Sequence, residues 1–128
     1  MEQEYKMHHS CIRVLDLEKS IDFYRQAFGF KVARKNDFPE GKFTLVFLED
    51  KTGNFSLELT YNYDQEEPYT IGNGYSHLAV AVSDVKKSHQ WHKENGFQVG
   101  EIYGLSEDSP GFYFISDPDG YDIEVIQR

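Results

Sequence analysis

Two histidines and two glutamates occupy matched places in this sequence. His9 opens "HSCIRVLDLEKS" (9–20), and His77 lies in "SHLAVAVSDVKKS" (76–88). After each histidine come a valine (Val14, Val82), an aspartate (Asp16, Asp84) and a Lys-Ser pair (Lys19-Ser20, Lys87-Ser88), in the same register. Glu58 in "SLELTYN" (56–62) and Glu124 in "DIEVIQ" (122–127) are each bracketed by aliphatic residues. Imidazole and carboxylate are ligands of borderline hardness, and two of each suit Ni²⁺, Zn²⁺, Co²⁺ or Fe²⁺. A carboxylate on a core strand is costly without a partner, and a shared cation supplies one. Either glutamate alone would also fit a wet rim; the symmetric set of four favours a metal.

Those side chains need strands and helices to carry them, and the sequence supplies the same set twice. "SIDFYRQAFGF" (20–30) and "SHQWHKENGFQV" (88–99) read as helices, with Phe23, Ala27 and Trp91 on apolar faces. Each ends at a Gly-Phe, where Gly29 and Gly96 can take the left-handed conformation that stops a helix. "TLVFLEDKTGNFSLELTY" (44–61) and "FYFISDPDGYDIEVIQ" (112–127) each read as strand, Asp/Gly turn and strand. Phe47 and Phe114, Asp50 and Asp117, and Gly53 and Gly120 all keep one constant offset. "KVARKND" and "FQVGEIYG" each leave room for one more strand, so the module is β-α-β-β-β, used twice. The expected organisation is one domain over 1–128, with module one at about 6–62, a polar linker at about 62–74 and module two at about 75–127.

Strand alternation sets the faces. His9, Cys11 and Arg13 share a face opposite Ile12 and Val14; His77, Ala79 and Ala81 share one opposite Leu78, Val80 and Val82. The aliphatic sets must pack under the helices, so the histidines point to the other side, where the alanines leave room. Glu58 lies with Thr60 and Asn62 on that side, and Glu124 lies opposite Ile123 and Val125.

The whole chain narrows the partners. At 128 residues it fits one domain with a real core. A net charge of −9 repels phosphate backbones and anionic membranes, so neither nucleic acid nor membrane is expected as a partner. No stretch resembles a signal peptide or a membrane span, and the single Cys11 excludes an internal disulfide, which suits a cytoplasmic location.

"HSCIRVLDLEKSIDFYRQAFGF", "SLELTYNY", "GYSHLAVAV" and "DPDGYDIEVIQ" together closely resemble glyoxalase I, within the vicinal oxygen chelate superfamily, over about residues 6–127. The resemblance implies an α+β fold of two βαβββ modules forming an eight-stranded open barrel-like sheet, completed across a homodimer. It implies that His9, Glu58, His77 and Glu124 hold one divalent metal per site, Ni²⁺ or Co²⁺ being favoured in chains of this short type and Zn²⁺ possible. The implied reaction is isomerisation of the methylglyoxal–glutathione hemithioacetal to S-lactoylglutathione. Proton removal next to a carbonyl builds negative charge on two neighbouring oxygens, which a Lewis acid stabilises while a carboxylate shuttles the proton. By resemblance Glu124 is the catalytic base, and Glu58 its counterpart for the opposite stereoisomer. Arg13 and Asn62 match contacts to the glutamyl end of glutathione, and an arginine suits a carboxylate there.

The match weakens at "YGLSEDSPGF" (103–112), expected as a loop, which carries Glu107 and Asp108 where the family brings basic residues to the glycyl carboxylate. Lys42 or Arg34 would have to replace them, or the thiol is not glutathione. His8 is expected to be structural, His89 and His92 to face solvent, and Cys11 to be a small wall residue. The rival functions are a metal-dependent thiol transferase for epoxide antibiotics, an epimerase of acyl-thioesters and a non-catalytic small-molecule binding module. The transferases keep three protein ligands and the binding modules lack the metal set, so Glu58 within E-L-T-x-N argues for the lyase.

Overall fold

The computed structural model describes residues 2–128, and the chain divides into two compact units, one ending at Tyr69 and the other starting at Thr70. That boundary falls inside the polar 62–74 segment. The first unit runs β1 (His9–Val14), α1 (Leu17–Phe28), β2 (Lys31–Phe38), β3 (Phe43–Glu49) and β4 (Ser56–Asn62). The second repeats the order as β5 (Leu78–Val82), α2 (Val85–Glu94), β6 (Tyr103–Ser106), β7 (Ser109–Ser116) and β8 (Asp122–Gln127). The class is therefore α+β with a doubled βαβββ order. The eight strands hydrogen-bond as two four-stranded open sheets, β1-β4-β3-β2 and β5-β8-β7-β6, rather than as a closed barrel.

Both helices start three residues before the 20–30 and 88–99 stretches read as helical, directly after the repeated aspartates. The Asp16 carboxylate accepts from the Lys19 N–H at 3.1 Å, and the Asp84 carboxylate accepts from the Lys87 N–H at 3.1 Å. Each satisfies one of the donors that a helix start leaves over, typically worth about 1 kcal/mol. Gly29 closes α1 in the left-handed region at φ 72°, and its N–H reaches back to the Arg25 carbonyl. Under α1 the core is built from Ile12, Val14, Ile21, Tyr24, Val46 and Leu59, all buried. Under α2 it is built from Val85, His92, Tyr113, Ile115, Ile123 and Val125.

The crossover from each first strand through its helix makes the first and last strands of a unit parallel neighbours. Cys11 pairs in register with Glu58, and Ala79 with Glu124. The turns of the two hairpins are tied down by their aspartates. Asp50 accepts from the backbone N–H groups of Thr52 and Gly53, and Asp117 from those of Asp119 and Tyr121. A helix-free strand register set this firmly fixes which face each glutamate uses, because a one-residue slip would reverse it.

Three expectations need correction. The extra strand of the second unit lies at 103–106, not within 97–104, and Val99 makes only an isolated bridge to Ile115. Correspondingly, 103–112 is a hairpin, not a loop: Leu105 pairs with Pro110, and Tyr103 with Phe112. Gly111 permits it, at φ 82° with its α-carbon so close that an added Cβ would sit 2.6 Å from the Tyr103 carbonyl oxygen. Finally, Trp91 is exposed and His92 takes the buried face of α2, where its Nδ1 meets the Tyr113 hydroxyl at 2.7 Å. The 3.6-residue period allows either neighbour to face the sheet; the hydroxyl waiting on β7 selects the imidazole. Among the described residues no helix is long and apolar enough to cross a membrane.

Candidate functional site

Parallel pairing of β1 with β4 puts His9 one diagonal step from Glu58, and pairing of β5 with β8 repeats this for His77 and Glu124. The Nε2 atom of His9 lies 3.1 Å from Glu58 Oε1, and that of His77 lies 3.5 Å from Glu124 Oε1. Two donors on one zinc-sized ion, each about 2.1 Å from it, stand about 3.0 Å apart at a right angle and about 3.4 Å apart at a tetrahedral angle. Both pairs therefore have the spacing of two ligands to one ion. The same atoms make an ion pair when the imidazole is protonated. Within neither unit do three His, Cys, Asp or Glu side chains gather into one such group among the described residues.

The walls match as well. The His9 ring stands edge-on to Phe47 at 5.5 Å between centroids, and His77 to Phe114 at 5.4 Å. Phe47 is in register with Glu58, and Phe114 with Glu124, so each carboxylate lies between its histidine's strand and an aromatic ring. Across the first sheet the row continues as Cys11, Glu58, Phe47 and Arg34, with the Arg34 guanidinium 4.2 Å over the Phe47 ring. That contact is a cation–π interaction, and it places a fixed positive charge beside the pair.

The two carboxylates differ in what holds them. Glu58 Oε2 accepts from the Thr60 hydroxyl at 3.0 Å and from the Cys11 thiol at 3.4 Å, and Cys11 and Thr60 lie 3.2 Å apart. At the matching positions the second unit has Ala79 and Ile126, which carry no side-chain donor. Glu58 is also the more enclosed, its side chain 12% exposed against 20% for Glu124. Burial pushes the Cys11 thiol up, the Thr60 hydrogen bond pulls it partly back, and the neighbouring Glu58 charge adds to the rise. Cys11 is thus favoured as a protonated thiol, the donor to Glu58.

Arg13 lies on the same face of β1, in register with Thr60, and Asn62 ends β4, donating to the Tyr69 hydroxyl at 2.9 Å. Of the two cations considered for the acidic segment, Lys42 is paired with Asp64 at 3.3 Å, whereas Arg34 borders the His9–Glu58 pair. Glu107 and Asp108 form the tip between β6 and β7.

Two residues have contacts the sequence reading did not give them. His8, expected at the helix side or the edge in a structural role, is exposed, and its Nδ1 lies 2.7 Å from Nδ1 of His9. A Ser76 hydroxyl lies 2.8 Å from Nδ1 of His77. The signal available in the sequence was that a polar side chain directly precedes each histidine, and strand alternation hid it. Residues so close to a strand end are free to turn back toward the site.

Comparisons with known proteins agree on one group. The family model described as "Glyoxalase/Bleomycin resistance protein/Dioxygenase superfamily" matches residues 6–125. A lactoylglutathione lyase of Neisseria meningitidis serogroup A is 43% identical over 123 residues, which is 94% of this chain and 88% of that protein. A probable lactoylglutathione lyase of Synechocystis is 38% identical over 122 residues, 93% of this chain and 92% of that protein. The structure of the trypanothione-dependent glyoxalase I of Leishmania major superposes with a TM-score of 0.82 at 40% identity, covering 97% of this chain and 87% of that one.

Proposed function

The chain belongs to the glyoxalase/bleomycin resistance protein/dioxygenase superfamily, and within it we propose that it acts as a lactoylglutathione lyase, isomerising the hemithioacetal of methylglyoxal and glutathione. The enzyme detoxifies methylglyoxal. What supports this most is the pairing, in each unit, of one histidine Nε2 with one glutamate Oε1 at the spacing of two ligands to one ion.

His9, Glu58, His77 and Glu124 would serve as ligands to one divalent ion per site, Ni²⁺ or Co²⁺ being favoured and Zn²⁺ possible, in a homodimer. When bound, the ion supplies Lewis-acid stabilisation of the negative charge that builds on two neighbouring substrate oxygens. Glu124, which lacks the two donors that fix Glu58, is the carboxylate free to take a proton. It removes the hydrogen of the carbon that bears sulfur and returns it to the adjacent carbon, while the hydroxyl proton passes to the former carbonyl oxygen. Glu58 serves the opposite stereoisomer. Phe47 and Phe114 keep water from the side of each pair, and Arg13 and Asn62 hold the glutamyl end of the thiol. The protein works in the cytoplasm, where the thiol is kept reduced.

A second thiol is favoured by one observation. The hairpin tip carries Glu107 and Asp108 and no basic residue, so a cosubstrate whose glycyl carboxylate is masked suits it better than free glutathione. The relative from Leishmania major is trypanothione-dependent.

The test is a lyase assay on metal-stripped protein with Ni²⁺, Co²⁺ or Zn²⁺ restored separately, using methylglyoxal with glutathione and with its glycyl amide. Metal-dependent thioester formation, falling about 10²–10⁴-fold in Glu124→Gln with the ion still bound, supports the proposal. Stoichiometric metal binding with no turnover on either thiol overturns it.

A further inference from the structure

Each histidine of the two pairs has both ring nitrogens engaged, and the outer one always by the residue immediately before it. In the first unit His8 Nδ1 lies 2.7 Å from His9 Nδ1; in the second the Ser76 hydroxyl lies 2.8 Å from His77 Nδ1. Nε2 of each histidine faces its glutamate at 3.1 and 3.5 Å. The two partners are unlike in chemistry and alike in position and distance, which argues for a shared task rather than an accident of one loop.

A neutral imidazole carries one proton, and it can bind an ion only through the nitrogen that lacks it. When an ion takes the Nε2 lone pair, an acceptor beside Nδ1 holds the proton there; with no ion between them, the facing carboxylate would itself accept a proton from Nε2. Both candidates can accept: a hydroxyl has two lone pairs, and a neutral His8 with its own proton on Nε2 has one on Nδ1. His8 is exposed, so its Nε2–H has water to donate to. The hydrogen bond also fixes the ring plane, since the imidazole can no longer turn about its Cβ–Cγ bond without breaking it. Partners of this kind raise the basicity of a ligating histidine, and their loss typically lowers metal affinity about 10- to 100-fold.

We propose that His8 and Ser76 are positioning residues that hold His9 and His77 in the Nδ1-protonated tautomer, with Nε2 presented to the ion. This rests on the assignment of His9 and His77 as ligands. Neither His8 nor Ser76 touches the ion or the substrate; each acts through the histidine that follows it.

The experiment uses the full chain, stripped of metal and reloaded with a chosen ion, and has two readouts. ¹⁵N NMR of the protein loaded with diamagnetic Zn²⁺ reports which ring nitrogen of each histidine carries the proton and how far that N–H is protected from exchange. Competition with a chelator of known affinity gives the Ni²⁺ dissociation constant. The variants are His8→Phe, which keeps a ring and removes the acceptor, and Ser76→Ala, with His8→Asn and Ser76→Thr as conservative replacements. Expected are loss of Nδ1–H protection at His9 or His77 in the first two variants, Ni²⁺ binding weakened about 10- to 100-fold, and recovery toward the parent in the second two. If the parent binds Ni²⁺, His9→Ala and His77→Ala abolish binding, and His8→Phe and Ser76→Ala leave both Nδ1–H protection and affinity unchanged, the positioning role is overturned and the ligand assignment stands. If the parent binds no Ni²⁺, both fall together.

Discussion

Replacing Tyr113 by phenylalanine removes a single oxygen from the core of the second unit, and the structure sets the size of the effect. Tyr113 is fully buried, and its hydroxyl lies 2.6 Å from the Ser88 hydroxyl and 2.7 Å from Nδ1 of the buried His92. Among the described residues no buried side-chain nitrogen or oxygen lacks a hydrogen bond. The substitution deprives two polar atoms of this partner at once, at about 1–3 kcal/mol for each group left short. A loss of about 2–6 kcal/mol follows, a large share of the 5–15 kcal/mol or so that holds a typical domain together. The first unit shows how the same space can be filled without that network: the matching positions are Tyr24 on the helix and Val46 on the strand, both buried. His92→Tyr combined with Tyr113→Val rebuilds that pair in the second unit, and should recover much of what Tyr113→Val loses alone. Urea unfolding followed by fluorescence of the single tryptophan, Trp91, reads the second unit directly, because that residue stands beside His92 on α2. A Tyr113→Phe protein within about 0.5 kcal/mol of the parent, the range of ordinary surface changes, would refute the idea that the hydroxyl sustains a buried network.

The two hairpin aspartates should differ although they do the same job: Asp117 is buried and accepts two N–H groups at 2.9 Å, so Asp117→Ala should cost about 3 kcal/mol, whereas exposed Asp50→Ala should stay within about 1 kcal/mol in the same urea titration. Burial pushes the Tyr113 hydroxyl up, with the Ser88 hydrogen bond pulling partly back, so the folded state keeps a proton that the unfolded chain sheds near the ordinary tyrosine value. Its contribution is therefore whole below about pH 10 and is lost as pH rises toward the folded value; unfolding midpoints measured across the alkaline range should fall less steeply in Tyr113→Phe. Arg13→Ala should raise KM for the thiol about 10- to 100-fold, the worth of a charge-assisted hydrogen bond, with kcat little changed, as steady-state kinetics would show.

Much of this was legible in the sequence because repetition constrains register. Once His9 was aligned with His77, the alternation of Ile12 and Val14 with Cys11 and Arg13 fixed the strand faces, and the structure buries the aliphatic set. The helices begin three residues before 20 and 88 because Asp16 and Asp84 cap them, a local contact whose signature lay in the repeat without being read as a cap. What alternation could not show were features set by partners distant in sequence. His92 turned inward rather than Trp91 because the Tyr113 hydroxyl lies opposite, and no helical period contains that information. The strand at 103–106 formed later than expected because Gly111 and the pairing of Leu105 with Pro110 define a hairpin that the acidic composition of 103–112 concealed. His8 was assigned a structural role and Ser76 none because an in-strand residue next to a histidine should point away, and neither residue lies within a strand.

The central claim is that the His9–Glu58 and His77–Glu124 pairs serve one ion rather than two. Metal content of the Ni²⁺-loaded protein, measured by inductively coupled plasma mass spectrometry after gel filtration, tests it in the parent, His9→Ala and His77→Ala. One ion per chain in the parent, lost in either variant alone, is the expected result. Two ions per chain, or retention of a bound ion when one histidine is removed, would show that each pair acts by itself and would contradict the account.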